Sequence, residues 1–310
     1  MAYNLKDNLM KEERLSGGHR MCAGCGAPIA VRTVLRALEP EDKAVVCSAT
    51  SCLEVSTFMY PYTAWKESFI HNAFENSAAT MSGVETAYRA LKKRGKLDDT
   101  YKFIAFGGDG GTYDIGFQSL SGAMERGHDM VYVCYDNEAY MNTGIQRSSS
   151  TPHFADTTTT PAGTVIPGKI QNKKDLTQII AAHHIPYVAQ TTFTKNFKDL
   201  SEKAHKAIYT PGAAFMNILA PCPRGWRYST EKIMEICSLA VESCVWPLFE
   251  VIDGKWRLNY EPKKKLPVEE YLRPQGRFAQ LFKQGNEWMI EQYQQEVDRR
   301  WAELQKLCGK

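Results

Sequence analysis

No charge of one sign dominates this sequence. Lysine and arginine number 38 against 35 aspartates and glutamates over 310 residues, a formal net charge of +3. No basic stripe carries interleaved aromatics, so the electrostatic case for a nucleic-acid partner is missing. The Lys263-Lys264-Lys265 run reads as a solvated loop. No apolar run approaches the roughly 20 residues needed to span a bilayer, and the first fourteen residues lack an apolar signal region. These absences predict a cytoplasmic chain with no membrane contact. Internal repeats and low-complexity segments are also missing, and the 43% hydrophobic and 24% charged composition is ordinary for a globular fold. Cysteine, by contrast, is not scarce. Nine of them in a cytosolic chain argue against a disulfide framework and for metal binding, buried thiols or both.

Apolar runs alternate with helical patterns along the first 247 residues. Strands are expected over 43–48, 102–106, 130–135, 187–191 and 213–219. Helices are expected over 27–38, 74–94, 113–126, 173–183 and 196–208, the third capped at its C-terminus by Gly127. Such alternation predicts an α/β fold, a parallel sheet with helices on both faces. Residues 140–170, rich in Thr, Ser, Gly and Pro, read as a long loop, and a long loop in a compact domain is usually functional. From 248 the character changes to a hairpin turning at Asp253-Gly254, then charged amphipathic helices over 268–308. The expected organisation is one domain over 1–247 and a C-terminal hairpin and helical arm over 248–310. That arm either packs on its own domain or embraces a partner.

The stretch Gly107-Gly108-Asp109-Gly110-Gly111 follows the strand at 102–106. It holds no G-x-G-x-x-G and no Gly-Lys-Ser/Thr, which excludes a dinucleotide fingerprint and a P-loop. Glycines let a backbone approach phosphate closely, but the aspartate should repel it. The pair makes sense with a divalent cation between them, and Asn137, 28 residues after Asp109, offers a second hard oxygen. In a right-handed βαβ unit Asp109 and Asn137 follow the C-terminal ends of parallel strands and meet on one sheet edge. Backbone N–H groups of 110–113 at the next helix N-terminus favour an anion there. The competing reading is a tight βα turn without a ligand.

Cys22-Ala23-Gly24-Cys25 has the spacing of a zinc or iron–sulfur hook, or of a redox pair. Cys47 and Cys134 sit inside strand patterns and read as inert buried thiols, and Cys237, Cys244 and Cys308 carry no better signal. Cys52 and Cys222 each lie in a loop after a strand, on the edge expected to hold Asp109 and Asn137. Cys22, Cys25, Cys52 and Cys222 are therefore expected to hold one metal centre beside the diphosphate loop, a structural zinc or a cluster.

The G-D-G loop with its later asparagine resembles the thiamine diphosphate motif. The resemblance implies Mg²⁺ on Asp109, Asn137 and the Ala139 carbonyl, with Gly108 and Gly110 at the diphosphate. Glu138 stands where that motif usually has a second asparagine. Segments 22–28, 49–55, 60–65, 71–76, 107–116 and 135–144, extended by Pro267-Val-Glu-Glu-Tyr271 and Gln275-Gly-Arg-Phe278, look like the β subunit of 2-oxoacid:ferredoxin oxidoreductases, nearest the pyruvate-oxidising (pyruvate synthase) subtype. Oxalate and branched-chain 2-oxoacid enzymes are relatives of that subtype.

That resemblance implies a 4Fe–4S cluster on the four cysteines, and Asn142 facing thiazolium and substrate with Thr143 and Gly144 forming the cofactor pocket. It implies oxidative decarboxylation of a small 2-oxoacid, pyruvate to acetyl-CoA and CO₂, with electrons passed to ferredoxin. It also implies an α subunit that supplies the activating glutamate, and γ and ferredoxin-like δ subunits or fused equivalents. His71 and Glu75 are expected to begin the long helix as cap or interface residues. The alternatives are an oxalate oxidoreductase working without coenzyme A, a non-redox thiamine diphosphate decarboxylase with a structural zinc, and a non-catalytic metal-binding module.

Overall fold

The computed structural model describes residues 3–194 and 197–310. The chain opens with a short helix α1 (Leu5–Met10), then α2 (Gly26–Leu35), strand β1 (Lys43–Ser48) and α3 (Cys52–Thr57). A small hairpin follows, β2 (Phe58–Met59) and β3 (Tyr62–Thr63), and then β4 (Ser68–His71) and α4 (Ser77–Lys93). The central unit is β5 (Tyr101–Gly108), a π-helical segment over Gly110–Ile115, α5 (Phe117–Glu125) and β6 (Val131–Asp136). After the long loop come α6 (Leu176–Ala181), β7 (Tyr187–Thr192), α7 (Lys198–Tyr209) and β8 (Ala214–Leu219). The remainder is α8 (Pro223–Trp226), α9 (Ile233–Glu242), β9 (Phe249–Ile252), β10 (Lys255–Leu258), α10 (Val268–Leu272) and α11 (Glu287–Leu307).

Eight strands form one sheet in the order β10-β9-β7-β8-β6-β5-β1-β4. The six from β7 to β4 are mutually parallel, and β9 and β10 add antiparallel at one edge. β6, β7 and β8 are buried along their whole length, as expected of parallel strands covered on both faces. One apolar cluster lies on each side of the sheet, around Val46, Ile104, Val133 and Met216 on one and Cys47, Ala105, Cys134 and Phe215 on the other. The parallel α/β reading of the sequence is thus the fold observed.

The differences are local. The first residue of the helix read over 196–208 lies outside the described residues, and α7 begins at Lys198. His71 and Glu75 do not begin the long helix. His71 ends β4, a four-residue edge strand too short to show a period, and α4 starts after Asn76. Cys52 is the first residue of α3 rather than part of an open loop. The Asp253-Gly254 turn has positive φ at both residues, 48° and 77°, as a two-residue hairpin with right-handed twist requires.

The region after 248 shares the same sheet and core. Tyr271, Leu272, Phe278 and Leu281 are fully buried, and α11 lays Met289, Tyr293 and Val297 against them. The tail packs on its own chain. At the hairpin junction Glu250 is fully buried on β9. It accepts hydrogen bonds from the Tyr187 hydroxyl at 2.9 Å, the Lys206 ammonium at 2.8 Å and the Asn259 amide at 3.0 Å. Burial opposes its ionisation, yet these donors, Lys206 foremost, hold the carboxyl below its ordinary range.

Replacing Glu250 by Ala strands the Tyr187 hydroxyl and the Asn259 amide, and should lower the unfolding free energy by about 2 kcal/mol. Glu250→Gln, which keeps an acceptor, should lose less. Denaturant midpoints test this, and an Ala variant as stable as the parent would show that Glu250 does not fasten the hairpin.

Candidate functional site

Four adjacent parallel strands, β8, β6, β5 and β1, end at the same edge of the sheet, and the register keeps their ends level. Ser48 lies beside Phe106, Gly108 beside Tyr135, and Asp136 beside Leu219. The segments that leave these ends carry Cys52, Asp109, Asn137 and Cys222. Strand ends in open α/β sheets are where ligands bind.

Asp109 is fully buried. Its Oδ2 accepts from the Ser148 hydroxyl at 2.6 Å and its Oδ1 from the Asn137 backbone N–H at 3.2 Å. Among the described residues no cationic side chain pairs with it. Burial, reinforced by the neighbouring Asp136, pushes its pKa well above the ordinary carboxylate range. The Asn137 side-chain amide has its oxygen 2.9 Å from Asp109 Oδ1 and 3.0 Å from the Ala139 carbonyl oxygen. Left to itself the amide satisfies both by presenting nitrogen. Presenting oxygen brings three hard oxygens together and needs a cation between them. The donor set therefore fits a divalent cation.

The glycines beside it are tight. A Cβ on Gly110 would run into the Tyr140 ring, and one on Gly111 would sit 2.7 Å from the Phe74 carbonyl oxygen. Gly108 has room, with only ordinary contacts to Ser51 and Tyr135. The helix that follows begins as a π-turn, closed by the Gly116 N–H donating to the Gly111 carbonyl at 2.7 Å. π-turns recur at functional sites, and this one leaves the first N–H groups after Asp109 without helical acceptors. A small cleft opens here, lined by Gly108 to Gly111, Ser51, Cys52, Phe74, Asn137 and Ala139 to Thr143.

Asn142 stands exposed at its rim. The Thr143 hydroxyl is engaged by Gln146 Oε1 at 2.6 Å. Gly144 lies beyond the lining, at φ 118° in the same turn.

A polar network behind the cleft escaped the sequence reading. Ser150 and Tyr113 donate to Asp136 at 2.5 and 2.8 Å, and Lys173 bridges Asp136 and Glu138 at 2.9 and 2.8 Å. The long loop brings in Ser148 and Ser150, and buried Lys169 holds that loop by donating to the Thr151 carbonyl at 2.5 Å. Burial pulls the Lys169 pKa down to about 8. Glu138 sits at φ 65°, a left-handed position that an asparagine adopts more readily. Its carboxylate faces Lys173 and Arg277, not the cleft.

Cys22, Cys25, Cys52 and Cys222 gather beside the same cleft. The Gly26 N–H donates to the Pro221 carbonyl at 3.1 Å, docking the 22–26 turn on the loop of Cys222. Burial first, and then the charges of Cys222 and Cys22, push the Cys25 thiol up to about 12. Cys52 is likewise pushed to about 12 by burial, by the other three cysteines and by Asp109. Cys47, Cys134, Cys237 and Cys244 are buried elsewhere. Among the described residues no three His, Cys, Asp or Glu side chains close on one point as a ligand shell. The four thiols lie within electrostatic reach of one another, and thiolates are the soft donors that thiophilic metals select.

Residues 44–218, more than half of the chain, match the model of the thiamine pyrophosphate enzyme C-terminal TPP binding domain. The chain is 52% identical over 301 residues to the pyruvate synthase subunit PorB of Thermotoga maritima, covering 96% of this chain and 93% of that one. It is 52% identical to the same subunit of Methanocaldococcus jannaschii, covering 94% and 96%. It is 44% identical to the ketoisovalerate oxidoreductase subunit VorB of Pyrococcus abyssi, covering 96% and 94%. A 2-oxoglutarate:ferredoxin oxidoreductase from Magnetococcus marinus shares the fold at TM-score 0.55 and 19% identity, over 76% of this chain and 80% of that one. The sheet edge and these relatives agree: the chain belongs to the thiamine pyrophosphate enzymes and, among them, to the β subunits of the 2-oxoacid:ferredoxin oxidoreductases.

Proposed function

We propose that this chain is the subunit of a pyruvate:ferredoxin oxidoreductase that holds the diphosphate half of thiamine diphosphate and passes on the electrons of the reaction. The observation that carries the reading is the adjacency, on one sheet edge, of an uncompensated buried carboxylate and four mutually interacting thiols. Asp109, Asn137 and the Ala139 carbonyl would ligate Mg²⁺, and Gly108, Gly110 and the N–H groups after Asp109 would meet the diphosphate. Asn142 and Thr143 at the rim, with Gly144, would border the thiazolium and substrate. When bound, thiamine diphosphate supplies the electron sink for decarboxylating a 2-oxoacid. A 4Fe–4S cluster on Cys22, Cys25, Cys52 and Cys222 would supply the one-electron acceptor, and ferredoxin the final one.

Several features of the chain support this division of labour. Ser148 donates to Asp109 Oδ2 and the Asn137 backbone N–H to Oδ1, which fixes the carboxyl at the cleft. Among the described residues no carboxylic acid side chain besides Asp109 lines the cleft, so the acid that activates the aminopyrimidine would come from an α subunit. γ and δ subunits or fused equivalents would carry electrons onward, in the cytoplasm. Pyruvate is the favoured substrate because the 52%-identical relatives are named pyruvate synthases.

Asp109→Asn removes the charge the cation needs and should weaken Mg²⁺-dependent thiamine diphosphate binding by about 100-fold or more, read by titration calorimetry on the assembled enzyme. Binding unchanged in this variant would refute the cation assignment.

Exchanging any of Cys22, Cys25, Cys52 or Cys222 for Ser should remove the absorbance near 400 nm that dithionite bleaches. A colourless wild-type protein containing zinc would instead support the non-redox decarboxylase.

The chain purified without partners should not turn over pyruvate with a redox dye, whereas the complex should do so only with coenzyme A. Turnover by the isolated chain would overturn the shared active site. Turnover of oxalate without coenzyme A in place of pyruvate would reassign the substrate.

A further inference from the structure

Glu138 is placed to do more than fill a turn. Its backbone N–H donates to Asp136 Oδ1 at 3.0 Å, its carbonyl accepts from the Thr151 hydroxyl at 2.7 Å, and its carboxylate receives Lys173 at 2.8 Å and Arg277 at 2.6 Å. Every polar group of the residue between Asn137 and Ala139 is therefore fixed, at a left-handed φ that a free glutamate would not choose. Arg277 comes from the C-terminal region, 139 positions away, and is itself buried. Its guanidinium lies 3.7 Å over the Trp226 ring, and its Nε donates to Gln275 Oε1 at 2.9 Å. Trp226 in turn donates its indole N–H to the Asn137 carbonyl at 2.8 Å and belongs to the short helix that starts after Cys222. The contacts close a ring: Asn137, Glu138, Arg277, Trp226 and back to Asn137.

We propose that Glu138 and Arg277 are positioning residues of the cation site, a buried clamp that aims the Asn137 amide and the Ala139 carbonyl at the cation. The clamp ties that turn to the loop of Cys222. This inference rests on reading Asp109, Asn137 and Ala139 as cation ligands. Neither clamp residue lines the cleft, so neither touches substrate or cofactor. Their effect passes through the turn alone. Residues that orient metal ligands from behind commonly govern metal affinity by 10- to 100-fold. Removing one member of a buried ion pair leaves the other charged and unmatched, whereas removing both leaves no orphan.

The test compares wild type, Glu138→Gln, Arg277→Met, Arg277→Lys and the Glu138→Gln/Arg277→Met double variant in the assembled enzyme. Two half-saturations are measured by calorimetry: that of Mg²⁺ with thiamine diphosphate in excess, and that of thiamine diphosphate at saturating Mg²⁺. The Mg²⁺ value should rise about tenfold in Glu138→Gln and in Arg277→Met. The thiamine diphosphate value should stay near wild type, and Arg277→Lys should recover most of the loss. The double variant should fall well short of the product of the two single effects.

Single variants whose Mg²⁺ half-saturation rises less than about fivefold, or a double variant showing the full product, would overturn the clamp. Where a single variant does not assemble, the double variant carries the test, because it buries no orphan charge, and a wild-type Mg²⁺ half-saturation there overturns the clamp as well. A wild-type enzyme that binds thiamine diphosphate without Mg²⁺ would refute the function reading instead of this one.

Discussion

Burying a carboxylate without a cation costs several kcal/mol even after the protein relaxes around it, and Asp109 is such a carboxylate. A serine hydroxyl and one backbone N–H soften that cost without cancelling it. Three carboxylates, Asp109, Asp136 and Glu138, crowd one sheet edge, and the two cations in bonding reach, Lys173 and Arg277, are spent on the last two. Burial and Asp136 hold the Asp109 carboxyl well above its ordinary range, and a cation beside it would relieve that. The surroundings bear directly on that carboxyl: Ser148 of the long loop donates to it, the Asn137 amide lies beside it, and the glycines after it pack closely against Tyr140 and Phe74.

The sheet makes this arrangement possible. Because β8, β6, β5 and β1 are neighbours and run the same way, four loops far apart in sequence meet without any long-range device beyond register. Asp109 and Asn137 thereby come to share one edge with Cys52 and Cys222. They are also joined mechanically, since the turn of Asn137 and the helix after Cys222 are linked through the Trp226 indole.

Much of this was legible in the sequence, for identifiable reasons. Buried parallel strands are continuous apolar runs, so β5, β6, β7 and β8 announce themselves, and loops at their C-terminal ends inherit a common location. Ser148, Ser150, Lys173, Glu138, Trp226 and Arg277 were not legible as site residues. Their partners lie between 14 and 139 positions away, and no local period marks such pairs. Glu138 was visible only as a departure from a motif, and its reason sits near the other end of the chain. The π-turn over Gly110–Ile115 leaves no hydrophobic signature because its cause is a backbone bond spanning five residues. β4 was missed because four residues at an exposed edge carry too little pattern to tell strand from helix entry.

The Ala139 carbonyl has a consequence of a different kind. A ligand drawn from the main chain is the same atom whatever side chain hangs beside it, so in the proposed cation site a change of side chain at 139 would not remove the oxygen. The burden of constancy passes to the neighbour that sets the peptide's direction. In the proposed site Glu138 does the aiming, while the atom being aimed comes with every amino acid.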